Sequence, residues 1–135
     1  MSTLDVIRAR HSVRSYEERG LSNKDTATLR SVVSRCAKES GLDIQLVTDN
    51  PEAFQVVARF GVIRGASAHI AFVAKGNELD EAIGYWGQKI VLAAQEMGLN
   101  TCWMMIMARK KSRAKVPAGM RIRIGIAVGY GKTQG

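Results

Sequence analysis

The sequence predicts a protein of mixed helices and strands, α/β or α+β, rather than a helical bundle or a barrel. Three observations carry this. Apolar residues recur at helical spacing twice, at Leu29, Val32, Val33 and Cys36 and again at Ile83, Gly87, Ile90, Ala94 and Met97. Short runs rich in β-branched or apolar residues fall between and after them, at residues 44–48, 68–74 and 101–107. The order is helices first, then strands alternating with helices, and no internal repeat stands out.

Each element has its own local signal. Ser2-Thr3-Leu4-Asp5 fits a capping box, so a short helix runs through Leu4 and Ile7 toward Arg10. Ser22-Asn23-Lys24-Asp25 is a second box, and Gly41 stops the helix it opens. Residues 44–48 form a strand. Asn50-Pro51 puts a cap before a proline at the first helical position, which predicts a helix over residues 52–59. Gly61 and Gly65 bracket a loop that either lets a flat ligand approach the backbone or simply turns into the next strand. Residues 68–74, AHIAFVA, look like a buried strand, and its lone His69 is a structural residue rather than a base. The clearest helix begins at Asn77 or Leu79 and ends at Gly98. Residues 101–107 form an apolar strand. Ile122, Ile124, Ile126 and Val128 share one face of the last strand, with Arg121 and Arg123 at its polar start.

Composition narrows the function. With 135 residues, 46% hydrophobic and 24% charged, the chain is sized and composed as one soluble globular domain. No apolar run approaches the ~18 to 20 residues of a membrane span, and Asp5 near a start without an apolar stretch excludes a secretory signal. Two cysteines, Cys36 and Cys102, make neither a CxxC nor a disulfide framework, so a reducing cytoplasm is the expected home. The net charge of +8 favours anionic partners. It gathers in Arg8, Arg10 and Arg14 and in a run of Arg109, Lys110, Lys111, Arg113 and Lys115, which reads as an exposed connector.

In an extended segment Arg10, Ser12 and Arg14 point the same way, offering two guanidinium forks and a neutral donor to a phosphate; a solvated basic turn is the plainer reading. The GYGKT near the end is not a P-loop, because Ile126 stands where the first glycine of that motif belongs. It is better read as a bend closing the last strand. Trp103 and the methionines around it read as core filler, and Cys102 as an inert buried thiol.

Taken together, RHSVRSY, the glycine-bracketed segment before AHIAFVAK, the block GYWGQKIVLAAQEMGLNTCW and the closing GYGKTQG occur in the order found in the FMN-dependent nitroreductase family, which the chain resembles along nearly its whole length. The resemblance implies an α+β fold with a mixed, largely antiparallel sheet flanked by helices. It implies a single FMN-binding domain over residues 1–135, with the family's C-terminal tail missing. It implies that Arg10, His11, Ser12 and Arg14 hold the FMN phosphate, ribityl chain and polar ring edge. Trp103, Met104, Met105 and Ile106 are implied to run beside the isoalloxazine. The implied activity is NAD(P)H-dependent reduction of nitroaromatics, quinones or similar electron-poor acceptors, in a homodimer, with no protein nucleophile and no metal. Neither a membrane nor nucleic acid is the expected partner. Two alternatives stay open: a basic nucleic-acid-binding domain using the arginine and lysine clusters on phosphates, and a degenerate, non-catalytic family member that binds a flavin or nucleotide.

Overall fold

Two hydrophobic cores, one on each face of a four-stranded sheet, organise the chain. The computed structural model describes residues 2–105 and 107–133. Its elements are α1 (Thr3–Ala9), α2 (Asn23–Ser40), β1 (Asp43–Val47), a 3₁₀ turn at Pro51–Phe54 leading into α3 (Gln55–Arg59), β2 (Ala68–Ala74), α4 (Asp80–Glu96), β3 (Asn100–Met104) and β4 (Arg121–Gly129). The sheet order is β1-β2-β4-β3 and every pairing is antiparallel. Among the described residues, parallel contacts are confined to isolated bridges, Ser12 with Thr101 and Ser15 with Arg64. The fold is α+β. Among the described residues no helix is long and apolar enough to cross a membrane.

The caps form as the sequence implies. Ser2 and Asp5 exchange both hydrogen bonds of the box. At α2 only half the box forms: the Ser22 hydroxyl accepts from Asp25 N, but Asp25 takes the Tyr130 hydroxyl at 2.6 Å, and that hydroxyl accepts from Ser22 N. Tyr130 thereby ties the end of β4 to the start of α2, 105 residues away in sequence from Asp25.

One core lies between the sheet and the inner faces of α2 and α4: Leu29, Val33 and Cys36 meet Ile83, Ile90 and Ala94 over Ile70, Phe72 and Ile126. On the other face Val13, Tyr16, Phe54, Val57, Ile63 and Met104 pack over Ala71, Val73 and Ala127. β2 sits between the two, which is why AHIAFVA shows no polar alternation; every one of its residues is buried.

Three sequence expectations are corrected. The last strand does not keep its isoleucines on one face. A β-bulge at Arg123 sets Phe72 opposite Ile124 but Val73 opposite Ile122, so Ile122 joins the second core while Ile126 and Val128 stay in the first. The strand expected over residues 101–107 ends at Met104, because the Met105 carbonyl accepts from Arg109 Nη2 at 2.9 Å. The helix expected over residues 52–59 begins as a 3₁₀ turn, and Asn50 does not cap it. Its side chain instead donates to the Lys111 carbonyl and accepts from Arg113 N at 2.8 Å.

Candidate functional site

The segment after α1 is laid along the free edge of β3. Val13 N donates to the Thr101 carbonyl at 3.0 Å, and the Val13 side chain is fully buried in the second core. With Val13 turned inward, its neighbours in the alternation turn outward: Arg10 and Ser12 are half-buried, Arg14 is exposed, and so is His11.

Arg14 opens onto a cleft of about 390 Å³. One wall is the end of β3, through Cys102, Trp103, Met104 and Met105; the other is α3 and the loop after it, through Val57, Phe60, Val62 and Ile63. Among the described residues none that lines it is acidic. The fold thus brings Arg14 together with Trp103, Met104 and Met105, as the resemblance implied. Arg10, His11 and Ser12 do not line this cleft, although they occupy the same segment. Ile106 lies outside the described residues.

The β3 wall is braced from both sides. The Trp103 indole stacks on Phe72, centroids 5.9 Å apart and planes 18° from parallel, and its Nε1 donates to Gln88 on α4 at 3.3 Å. Behind Met105, Arg109 spans two main-chain carbonyls, those of Met105 and Ile122, each at 2.9 Å. The five cations of the basic run are exposed, as expected of a connector. The run is nevertheless pinned: Asn50 and Gln45 hold its backbone, and the Ser112 hydroxyl lies 2.8 Å from His69 Nε2.

Sequence reasoning missed the α3 wall. Phe60 is 75% exposed and Val62 48%, large apolar residues left outside both cores. The signal was present in apolar residues on both sides of a five-residue helix. Pattern reading assigns one such face to the core and gives the other no role. At the glycine bracket, Gly65 is closely approached by the Tyr16 main chain of the same chain, and neither Gly61 nor Gly65 lines the cleft beside Arg14.

His69 is fully buried, edge-on to Phe54, with Nδ1 unpartnered among the described residues. Burial pushes its pKa down from 6.5 to about 4. The folded protein therefore holds His69 neutral where the unfolded chain protonates it. Stability is fully present above pH 6.5 and is lost as pH falls toward 4. A shift of this size corresponds to about 3 kcal/mol. Urea midpoints measured from pH 7 to pH 4.5 should fall in the wild type, and more shallowly in His69→Gln. Parallel pH profiles for the two proteins would remove His69 as the cause.

The sequence profile of a family described as "Putative TM nitroreductase" matches residues 2–135. No curated protein sequence matches the chain. Many solved structures share its fold. A nitroreductase family protein from Clostridium difficile 630 superimposes with a TM-score of 0.75 at 15% identity, over 98% of this chain and 86% of that one. An FMN-dependent nitroreductase from Clostridium difficile R20291 gives 0.71 at 20% identity, covering 96% and 88%. A Desulfovibrio desulfuricans nitroreductase solved in complex with FMN gives 0.71 at 21% identity, covering 100% and 89%. At such identities the structural likeness is one of fold, while the profile spans almost every residue; the chain belongs to this nitroreductase family.

Proposed function

We propose that residues 1–135 form a single FMN-binding domain of an oxidoreductase that uses NAD(P)H to reduce nitroaromatics, quinones or similar electron-poor acceptors. The observation that carries this reading is the cleft itself: an apolar, acid-free lining with the Arg14 guanidinium at its side and the strand end at Trp103 to Met105 along one wall. That lining suits a flat ring system with an anionic tail. Family membership and the FMN named for two of the relatives support it.

FMN, when bound, supplies the hydride and electron transfer, and the protein supplies binding, orientation and electrostatics. Arg14 at the cleft, and Arg10, His11 and Ser12 of the same segment outside its lining, would provide charge-assisted and neutral donors for the phosphate and the polar ring edge. Trp103, Met104 and Met105 set the height of the wall along which the ring lies. Arg109 fixes that wall by holding the Met105 carbonyl. Phe60, Val62 and Met105 leave apolar surface at the rim that a second copy of the chain would cover, which favours a homodimer closing the site and excluding water. Two buried thiols fit a cytoplasmic setting.

Losing one charge-assisted hydrogen bond costs about 1.5 to 3 kcal/mol, so Arg14→Ala and Arg10→Ala should each weaken FMN binding roughly ten- to a hundredfold. A fluorescence titration of the purified protein with FMN measures this, followed by NAD(P)H oxidation with a nitroaromatic or quinone. Unchanged affinity in both variants removes these arginines from the site. A folded protein that refuses FMN overturns the reading, and one that binds FMN but never oxidises NAD(P)H is a non-catalytic family member.

A further inference from the structure

A second opening, roughly 630 Å³, lies at the far edge of the sheet and takes no part in the cleft above. Its floor is β1, which pairs with β2 on one side and, among the described residues, with no strand on the other. The opposite sheet edge is different, since β3 is covered by the chain's own bridge from Ser12 to Thr101. One wall over β1 is α2, through Arg30, Val33 and Ser34; the other is the connector, through Arg113, Lys115 and Pro117.

In an antiparallel pair, alternate residues turn both main-chain groups away from the partner strand. Leu46 is such a residue, and its carbonyl accepts from Arg30 Nη1 at 3.2 Å. Ile44, two residues earlier, turns the same way. The connector wall is built rather than loose. The Gln45 side chain exchanges two hydrogen bonds, each 2.8 Å, with the Lys115 main chain, and Arg113 N donates to Asn50. Because both anchors use main chain, the Arg113 and Lys115 side chains are left to solvent at the groove. Three cations, Arg30, Arg113 and Lys115, therefore flank the strand from both faces of the sheet. Of the described lining residues, Asp43 alone is a carboxylate, and it accepts from Gln45 Nε2 at 3.0 Å; Glu52, outside the lining, lies close enough to Arg113 to feel its charge.

We infer that the outer edge of β1 is a docking groove for an extended acidic peptide segment of another protein. The peptide adds a strand beside β1, its main chain pairing with the outward groups and its carboxylates reaching cations on both walls. A main-chain floor with cations only at its sides suits a peptide better than nucleic acid, which needs cations tracking its phosphates. A second copy meeting this edge with the same edge is disfavoured, because Arg30, Arg113 and Lys115 of one chain would face the same three cations of the other.

The test uses the full chain and a fluorescein-labelled hexapeptide, Glu-Glu-Val-Glu-Glu-Val, read by anisotropy. Saturable binding is expected. It should weaken at least about tenfold in the Arg113→Glu/Lys115→Glu protein, whose fold is monitored by circular dichroism. It should also weaken when alternate peptide nitrogens are methylated, a change that removes strand pairing, keeps every charge and leaves the protein untouched. An N-methylated peptide that binds as well as the parent overturns strand addition. An oligonucleotide of equal charge that binds more tightly, and loses that binding in the double variant, overturns the peptide assignment. A dimer that becomes a monomer in the double variant makes this edge an interface between copies, and also overturns it.

Discussion

Gly65→Ala is expected to leave little folded protein. Gly65 has φ +82°, and a Cβ there would stand 2.1 Å from the Tyr16 carbonyl oxygen and 3.0 Å from its carbon. These are main-chain atoms and cannot rotate aside. They are also fixed by pairing, since Tyr16 N donates to the Arg64 carbonyl and Arg64 N to the Arg14 carbonyl, both at 2.8 Å. Relieving the clash means breaking that pairing, which holds the 12–16 segment between the second core and the cleft. The left-handed conformation alone costs an alanine about 1 to 2 kcal/mol. With the lost pairing the total should exceed about 4 kcal/mol, a large share of the 5 to 15 typical of a domain. Gly41→Ala separates the two causes. Gly41 is also left-handed, at φ +75°, but nothing lies within 4 Å of its Cβ position, so only the conformational cost applies. Thermal unfolding should show a drop several times larger for Gly65→Ala than for Gly41→Ala. Equal drops would mean that the approach to Tyr16 carries no energy.

What could be read from the sequence was local chemistry at the ends of elements. Ser2, Ser22 and Gly41 mark their boundaries because a cap is satisfied by residues three or four positions away. The bulge was invisible for the opposite reason. Ile122, Ile124, Ile126 and Val128 alternate without a flaw, and what breaks the register is distant: Arg123 turns to Asp80 on α4, with two hydrogen bonds of 3.0 and 2.9 Å. In α1 the apolar pair that suggested the helix, Leu4 and Ile7, is exposed, and Val6 is the residue it buries. Of the candidate site, Arg14 was suggested by the alternation of Arg10, Ser12 and Arg14 as well as by family resemblance, while the Trp103 to Met105 wall came from resemblance alone. The fold brings them to one cleft because the 10–14 segment adds to the β3 edge, a long-range pairing that no short window encodes. Phe60 and Val62 escaped notice because an apolar residue outside the core has no periodic signature.

Two glycines on α4 should respond to the same substitution with opposite signs. Alanine is favoured over glycine in a helix interior by up to about 1 kcal/mol. At Gly84 nothing lies within 4 Å of the Cβ position, so Gly84→Ala should gain much of that. At Gly87 the Cβ would stand 2.3 Å from Trp103 Cη2, 2.9 Å from Cζ2 and 3.1 Å from Phe72 Cζ. The Trp103 ring is stacked on Phe72 and bonded to Gln88, so it cannot yield without giving up one of these. Overpacking of this kind costs about 1 to 3 kcal/mol, more than the helix propensity returns, and Gly87→Val should cost more still. The consequence reaches the cleft, because the strand end that Trp103 braces is one of its walls. Gly87→Ala should lower the unfolding midpoint and also weaken FMN binding under conditions where the protein remains folded. Gly84→Ala should raise the midpoint, with a flavin affinity close to wild type. If Gly87→Ala stabilises the protein as Gly84→Ala does, the tryptophan is free to move and the wall it braces is not rigid.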